Sequence, residues 1–167
     1  DDGRILVATY VSGFVRVRDV TSGEDLLRYF QPEAPAFARF SADASVFACA
    51  APEGAVRIWD LPTGAEFARL PGAVPPLGGR TSPSGIVSVA ISPQGDLLAT
   101  CGSDGGALWV PRPGTLQSRV EEPGWPDAAA FSADGFLVAM ASLSGVWVRS
   151  PFFPESRQVA DGQDFGN

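Results

Sequence analysis

The chain contains no histidine and no lysine. A Ser-His-Asp triad and histidine ligation of a metal are therefore excluded, as are Schiff-base chemistry and a lysine-bearing phosphate loop. Cysteine is nearly as scarce. Cys49 and Cys101 are too few for a disulfide framework, and one register apart in neighbouring units they are expected to face opposite ways as buried, inert thiols. No stretch approaches the roughly 18 consecutive apolar residues of a membrane-crossing helix. Residues 1–20 carry Asp2, Arg4, Arg16, Arg18 and Asp19, which does not fit a signal peptide. Asp1 is no natural initiator, so a leader or upstream domains can precede it. A cytoplasmic setting is the expectation. Positive charge is thin as well: 12 basic residues, all arginine, against 19 acidic ones give a net charge of −7. Nucleic acid and anionic membrane both need a basic face, so neither is expected as a partner.

What the chain has is punctuation. Its 19 glycines and 15 prolines interrupt short apolar runs every few residues, a pattern of many brief strands and tight turns with little room for helices. The runs repeat. Glycines at Gly13, Gly54, Gly105 and Gly145 recur about 40 residues apart, with one interval about ten longer. Alanines at Ala8, Ala48, Ala99 and Ala139, serines at Ser41, Ser92 and Ser132, and arginines at Arg28, Arg69, Arg119 and Arg157 keep nearly the same period. The long interval holds a Pro/Gly-rich insert, Pro71–Gly85, and insertions in repeats collect in loops.

Each unit is read as four strands. The first covers Phe37–Phe40, Val87–Ile91 or Asp127–Phe131. The second covers Ile5–Tyr10, Val46–Ala50, Leu97–Cys101 or Phe136–Ala141. The third covers Val15–Asp19, Val56–Asp60, Leu108–Val110 or Val146–Arg149, and the fourth Asp25–Phe30, Glu66–Leu70, Leu116–Val120 or Ser156–Val159. Gly95 and Gly135 suit the left-handed position of the first hairpin; Ala44 in their place predicts a turn that is looser or differently built. Runs such as Leu97-Leu98-Ala99 and Ile5–Ala8, apolar on both faces, predict sheets covered from both sides. The recurring fourth-strand arginines are expected on a solvated outer edge.

Gly54-Ala-Val-Arg-Ile-Trp-Asp60, with Val89-Ala-Ile-Ser-Pro-Gln-Gly-Asp96 and Ala130-Phe-Ser-Ala-Asp-Gly135, resembles the WD-repeat (WD40) β-propeller family. The resemblance spans residues 1–159 and implies an all-β propeller of about four blades, near 1–32, 33–82, 83–126 and 127–159. The blades have four antiparallel strands each, the first lacking its innermost one. Residues 160–167 read as a flexible tail. With no histidine, the His–Asp–Ser/Thr–Trp network usual in that family cannot form, although Asp104 and Trp59 match two of its members. Arg18, Pro111 and Arg149 replace Trp59 in the other units, with Trp109 and Trp147 earlier in their strands and expected on the opposite face. Complete propellers have about four to eight blades, so the expectation is an open partial propeller in a longer protein, or half of a ring closed by a second copy.

The function implied is a non-catalytic scaffold that binds a protein or peptide through one rim of loops, with no cofactor. Trp125 heads the candidates, since tryptophan is enriched in binding hot spots; Arg80, Glu53 and Asp104 accompany it. A propeller enzyme with a carboxylate-bound metal in the channel is the rival, resting on Asp127 alone. A purely structural assembly role is the other.

Overall fold

The computed structural model describes residues 3–32, 35–51, 55–70, 85–102, 105–112, 114–120, 126–152 and 156–161. It places strands at β1 (Ile5–Thr9), β2 (Phe14–Asp19), β3 (Asp25–Phe30), β4 (Phe37–Phe40), β5 (Val46–Ala50), β6 (Val56–Asp60), β7 (Ala65–Leu70) and β8 (Ile86–Ile91). It continues with β9 (Leu98–Gly102), β10 (Gly105–Val110), β11 (Thr115–Val120), β12 (Ala128–Phe131), β13 (Val138–Ser142), β14 (Gly145–Arg149) and β15 (Ser156–Asp161). No helix occurs among the described residues, so none there is long and apolar enough to cross a membrane. The strands form four antiparallel meanders in chain order: a three-stranded sheet β1-β2-β3, then four-stranded sheets β4 to β7, β8 to β11 and β12 to β15. This arrangement is compatible with part of a β-propeller.

Successive sheets pack face to face. Val15, Val17 and Leu27 of the first meet Phe47, Cys49 and Trp59 of the second. The second turns Val46, Ala48, Val56, Ile58 and Leu70 toward Ile86, Leu98 and Trp109 of the third. The third in turn packs Ala99, Cys101 and Leu108 on Val138 and Met140 of the fourth. Alternation of side chains along a strand supplies both layers at once, which is why β5 and the first four residues of β9 are buried throughout. The first sheet departs from the expectation. Only one face of β1 is covered, and Leu6 on the other is 53% exposed.

The recurring serine has a structural reason. Ser41, Ser92 and Ser132 each accept a hydrogen bond from a backbone N–H at or just before the start of the next strand (Val46, Leu97 and Leu137), at 3.0, 2.9 and 3.0 Å. Their hydroxyls donate to Asp43, Asp96 and Asp134. Within this clasp the turns close alike: Ala44, Gly95 and Gly135 donate to the serine carbonyls at 3.0, 2.9 and 2.9 Å. Ala44 has φ 56°, beside 74° and 77° for the two glycines. The predicted looser or differently built turn is therefore not found; the serine clasp forces alanine into the left-handed region, at a cost of about 1–2 kcal/mol. Ala44→Gly should raise stability by about 0.5–1 kcal/mol in urea unfolding, where most glycine substitutions lower it.

The turns also chain the sheets together. Ala42 N–H donates to the Pro93 carbonyl at 3.1 Å, and Gln94 reaches the Asp134 carbonyl. At the outer strands Arg57 lies over the Tyr29 ring, and Arg112 over Phe67 while pairing with Asp60 at 2.7 Å.

Two register expectations need correction. Trp109 faces Leu98 as Trp59 faces Phe47, so the two tryptophans are equivalent and point toward the preceding sheet. One residue fewer separates Ala99 from its partner Leu108 than separates Ala48 from Ile58, which shifts the sequence landmark but not the side chain. Trp147, opposite Met140, shares that orientation, and so does Arg149 two residues on. In the first sheet the bulge after Val17 matches those after Ile58 and Leu108, which aligns Val7, not Ala8, with Ala48 and Ala99. Finally, β15 runs two residues past Val159, into the segment read as tail.

Candidate interaction surface

Trp125, Arg80, Glu53 and Asp104 lie outside the described residues, as does the rest of the insert through residue 84. What is described of the loop rim is apolar at its tips: Val11 is 93% and Leu143 94% exposed. Asp127 is exposed, and among the described residues no group of three His, Cys, Asp or Glu side chains could hold a metal ion. Cys49 and Cys101 are unpaired and buried on opposite faces of their sheets, as their register predicts. Burial pushes both thiols up to about 12.

Sequence reading missed the most distinctive surface. In the second, third and fourth sheets, the face turned toward the preceding sheet carries residues such as Phe47, Leu98 and Val138. In the first sheet the equivalent face carries charge. Asp25, at the start of β3, accepts hydrogen bonds from Arg16 Nε at 2.7 Å and Arg18 Nε at 2.8 Å, and pairs with Arg28 as well. Its side chain is 6% exposed beneath the three guanidiniums. Three arginines thus share one carboxylate, leaving this face positive on a chain whose net charge is −7. Arg4 pairs separately at 2.7 Å with Asp19, whose place in β2 alternates with Arg18 and falls on the side of Val15 and Val17. Leu6, Phe14 and Phe30 stand exposed around the cluster, the two phenylalanine rings 5.4 Å apart. Arg16 and Arg18, two apart on one strand, are the signal in the sequence that could have found it.

Local bonding fixes the charge state. Hydrogen bonds from Arg16, then Arg18 and Arg28, hold the Asp25 carboxyl well below the usual carboxylate range, against the opposing effect of desolvation. Arg4 does the same for Asp19, helped by the N–H groups of Thr21 and Ser22. Ser41, Thr63 and Ser132 are the leading causes lowering Asp43, Asp60 and Asp134. A depressed carboxylate stabilises the fold above its unfolded pKa of about 4, and that stability is lost as pH falls toward the folded value. A thiol raised by burial acts at the other end: its stability is present below about 8.5 and is lost as pH rises toward 12. Without histidine, no shifted group among the described residues titrates between. Stability followed by urea midpoint should be flat from about pH 5 to 8 and fall on both sides; an inflection near 6.5 would contradict it.

The opposite end of the array differs. The outward face of the fourth sheet carries Ala128, Ala130, Ala139, Ala141, Val146 and Val148, partly or wholly exposed, with Arg157 opposite Val148. No protein-family model matches the chain, and no curated protein matches it.

Proposed function

We propose that the chain is a non-catalytic segment of a WD-repeat β-propeller, serving as a scaffold for protein partners in the cytoplasm. Support for the fold reading comes from the repeated four-stranded meanders and their serine clasps. The buried hydrogen bond from Trp109 Nε1 to Thr100 Oγ1 at 2.9 Å adds to it. That bond is the Thr–Trp end of the network the resemblance implies; in the second sheet Cys49 stands in the threonine's place and offers no hydroxyl.

The observation that carries the functional reading is the uncovered arginine and aromatic face of the first sheet. Its charge favours an acidic protein surface, and its exposed Leu6, Phe14 and Phe30 supply the apolar area such contacts bury. The loop rim holding Trp125, Arg80, Glu53 and Asp104 is the second surface of the scaffold. The chain's negative balance argues against nucleic acid here too. Photo-crosslinking tests this without relying on lysine, which the chain lacks. With p-benzoylphenylalanine at Phe30 or Trp125, protein adducts are expected, and the Phe30 adduct should vanish in an Arg16→Glu, Arg28→Glu variant. Adducts from neither position would remove the scaffold reading. Wild-type affinity in a Trp125→Ala, Arg80→Ala variant would remove the rim.

A further inference from the structure

Two seams between neighbouring sheets are braced by an arginine laid on an aromatic ring beside a carboxylate. Arg57 of the second sheet lies over Tyr29 of the first, 4.6 Å from its centroid, and pairs with Glu66 at 3.1 Å. Arg112 of the third sheet lies over Phe67 of the second at 4.0 Å and pairs with Asp60 at 2.7 Å. At Asp60 the two carboxylate oxygens divide the work. Oδ1 accepts from Thr63 within its own turn, and Oδ2 accepts from the Arg112 guanidinium.

The seam between the third and fourth sheets carries rings and a carboxylate with no such arginine. Gln94 and Gln117 of the third sheet donate to the carbonyls of Asp134 and Pro151, at 3.4 and 2.9 Å, which sets the β12–β13 and β14–β15 turns at this seam. Phe136 and Phe152 project from those turns, both more than half exposed, with ring centroids 6.4 Å apart in an edge-on arrangement. Counted from the clasp serines and from the buried Leu61, Pro111 and Pro151, their places are taken by Ser45 and Pro62 in the second sheet and by Asp96 and Arg112 in the third. Two polar residues of one seam are thus two exposed rings in the next. Asp134 Oδ1 accepts the Ser132 hydroxyl at 2.5 Å and the Phe136 N–H at 3.0 Å, while nothing among the described residues donates to Oδ2. Those bonds hold its carboxyl below the usual range, so it is charged at neutral pH. No cation among the described residues lies on either ring.

We infer that Phe136, Phe152 and Asp134 form a binding site for an arginine side chain of a partner polypeptide, its guanidinium laid on the rings and donating to Asp134 Oδ2. The protein's own seams define the chemistry, since each brace joins the same three parts. A ring face is electron-rich, and the flat, weakly hydrated guanidinium stacks on it while its edge still bonds a carboxylate. The chain's net charge of −7 favours a cationic partner. Asp43 and Asp96 are held by their clasp serines in the same way, but the matching turn places there carry no exposed ring pair. The site sits at the opposite end of the strands from the Leu143 tip and on different sheets from the arginine face. It goes beyond the scaffold reading and does not rest on either of those surfaces.

The probe is a blocked pentapeptide with the sequence of residues 110–114, Val-Pro-Arg-Pro-Gly, titrated into the whole chain carrying ring-labelled phenylalanine. The Phe136 and Phe152 ring signals in NMR spectra are expected to move together and to half-saturate at about 5 mM or below. Citrulline in place of the peptide's arginine keeps the planar shape and loses the charge; it should weaken binding by about threefold or more, and so should lysine. Phe152→Ala should do the same. Phe136→Asp combined with Asp134→Gln gives the turn the side chains of Gln94 and Asp96, keeps an acid for the clasp serine, and should also weaken binding by about threefold or more. These side chains are exposed, and an unshifted signal from the buried Phe47 ring reports a native fold in each variant. Arg16→Glu with Arg28→Glu should leave peptide binding unchanged, so failure here and failure of the charged-face reading are distinguishable. The inference is overturned by the absence of ring shifts at about 20 mM peptide, by equal binding of the citrulline or lysine peptide, or by full affinity in either ring variant. It is also overturned if the two ring signals of the peptide-free chain move in an Arg80→Ala variant or with protein concentration, because the chain's own insert or a second copy then fills the site.

Discussion

Phe47→Ala is expected to lower the unfolding free energy by about 3–5 kcal/mol, a large share of the roughly 5–15 kcal/mol of an ordinary domain. The ring is fully buried between the first and second sheets. It stacks on Trp59 at 5.4 Å and tilts against Phe40 at 5.1 Å, while Tyr29 reaches Trp59 from the first sheet at 5.0 Å. Truncation removes the contact on which that interface centres, and stiff strands on both sides cannot collapse into the space. Urea titration should show a lower midpoint with the slope unchanged. A loss below about 1 kcal/mol would mean that the first two sheets do not pack as described.

Gly13→Ala should cost about 2–4 kcal/mol, more than an ordinary turn glycine. Gly13 has φ 89°, and a Cβ there would overlap the backbone carbonyl oxygen of Gln31. The same carbonyl neighbourhood is pinned, because Gln31 N–H donates to Gly13 O at 3.0 Å and extends the β2–β3 ladder. Nothing flexible can yield. Gly23 is the internal control: its φ is 73°, but no atom lies within 4 Å of an added Cβ. Gly23→Ala should lose only the conformational cost of about 1–2 kcal/mol. Equal losses for the two variants in thermal unfolding would remove the steric account.

Much of the architecture is legible because punctuation and apolar runs are local. Phe37–Phe40, Val46–Ala50, Val56–Asp60 and Asp25–Phe30 are strands at the very bounds that their flanking turn residues predict. Facing is less legible. A strand side chain changes sides with every residue, so a connection shorter by one residue misassigned Trp109 while leaving its strand correctly placed. Ala44 misled for another reason: the conformation there is set by the serine clasp, not by the residue's own preference. The arginine cluster was hidden because its members come from different strands and meet only through pairing, with Arg28 reading alone as one more solvated arginine. The rim candidates came from loop composition, which carries no periodicity from which a position could be built.

The contrast between the two end faces gives the array a polarity. If one copy laid its Ala/Val face on the arginine face of another, guanidiniums would leave water for hydrocarbon, at several kcal/mol for each one not matched by an acid. Head-to-tail contacts of this kind would otherwise propagate into open fibres. Between copies of this chain the charge of the first sheet would therefore disfavour that stacking wherever no acid meets it.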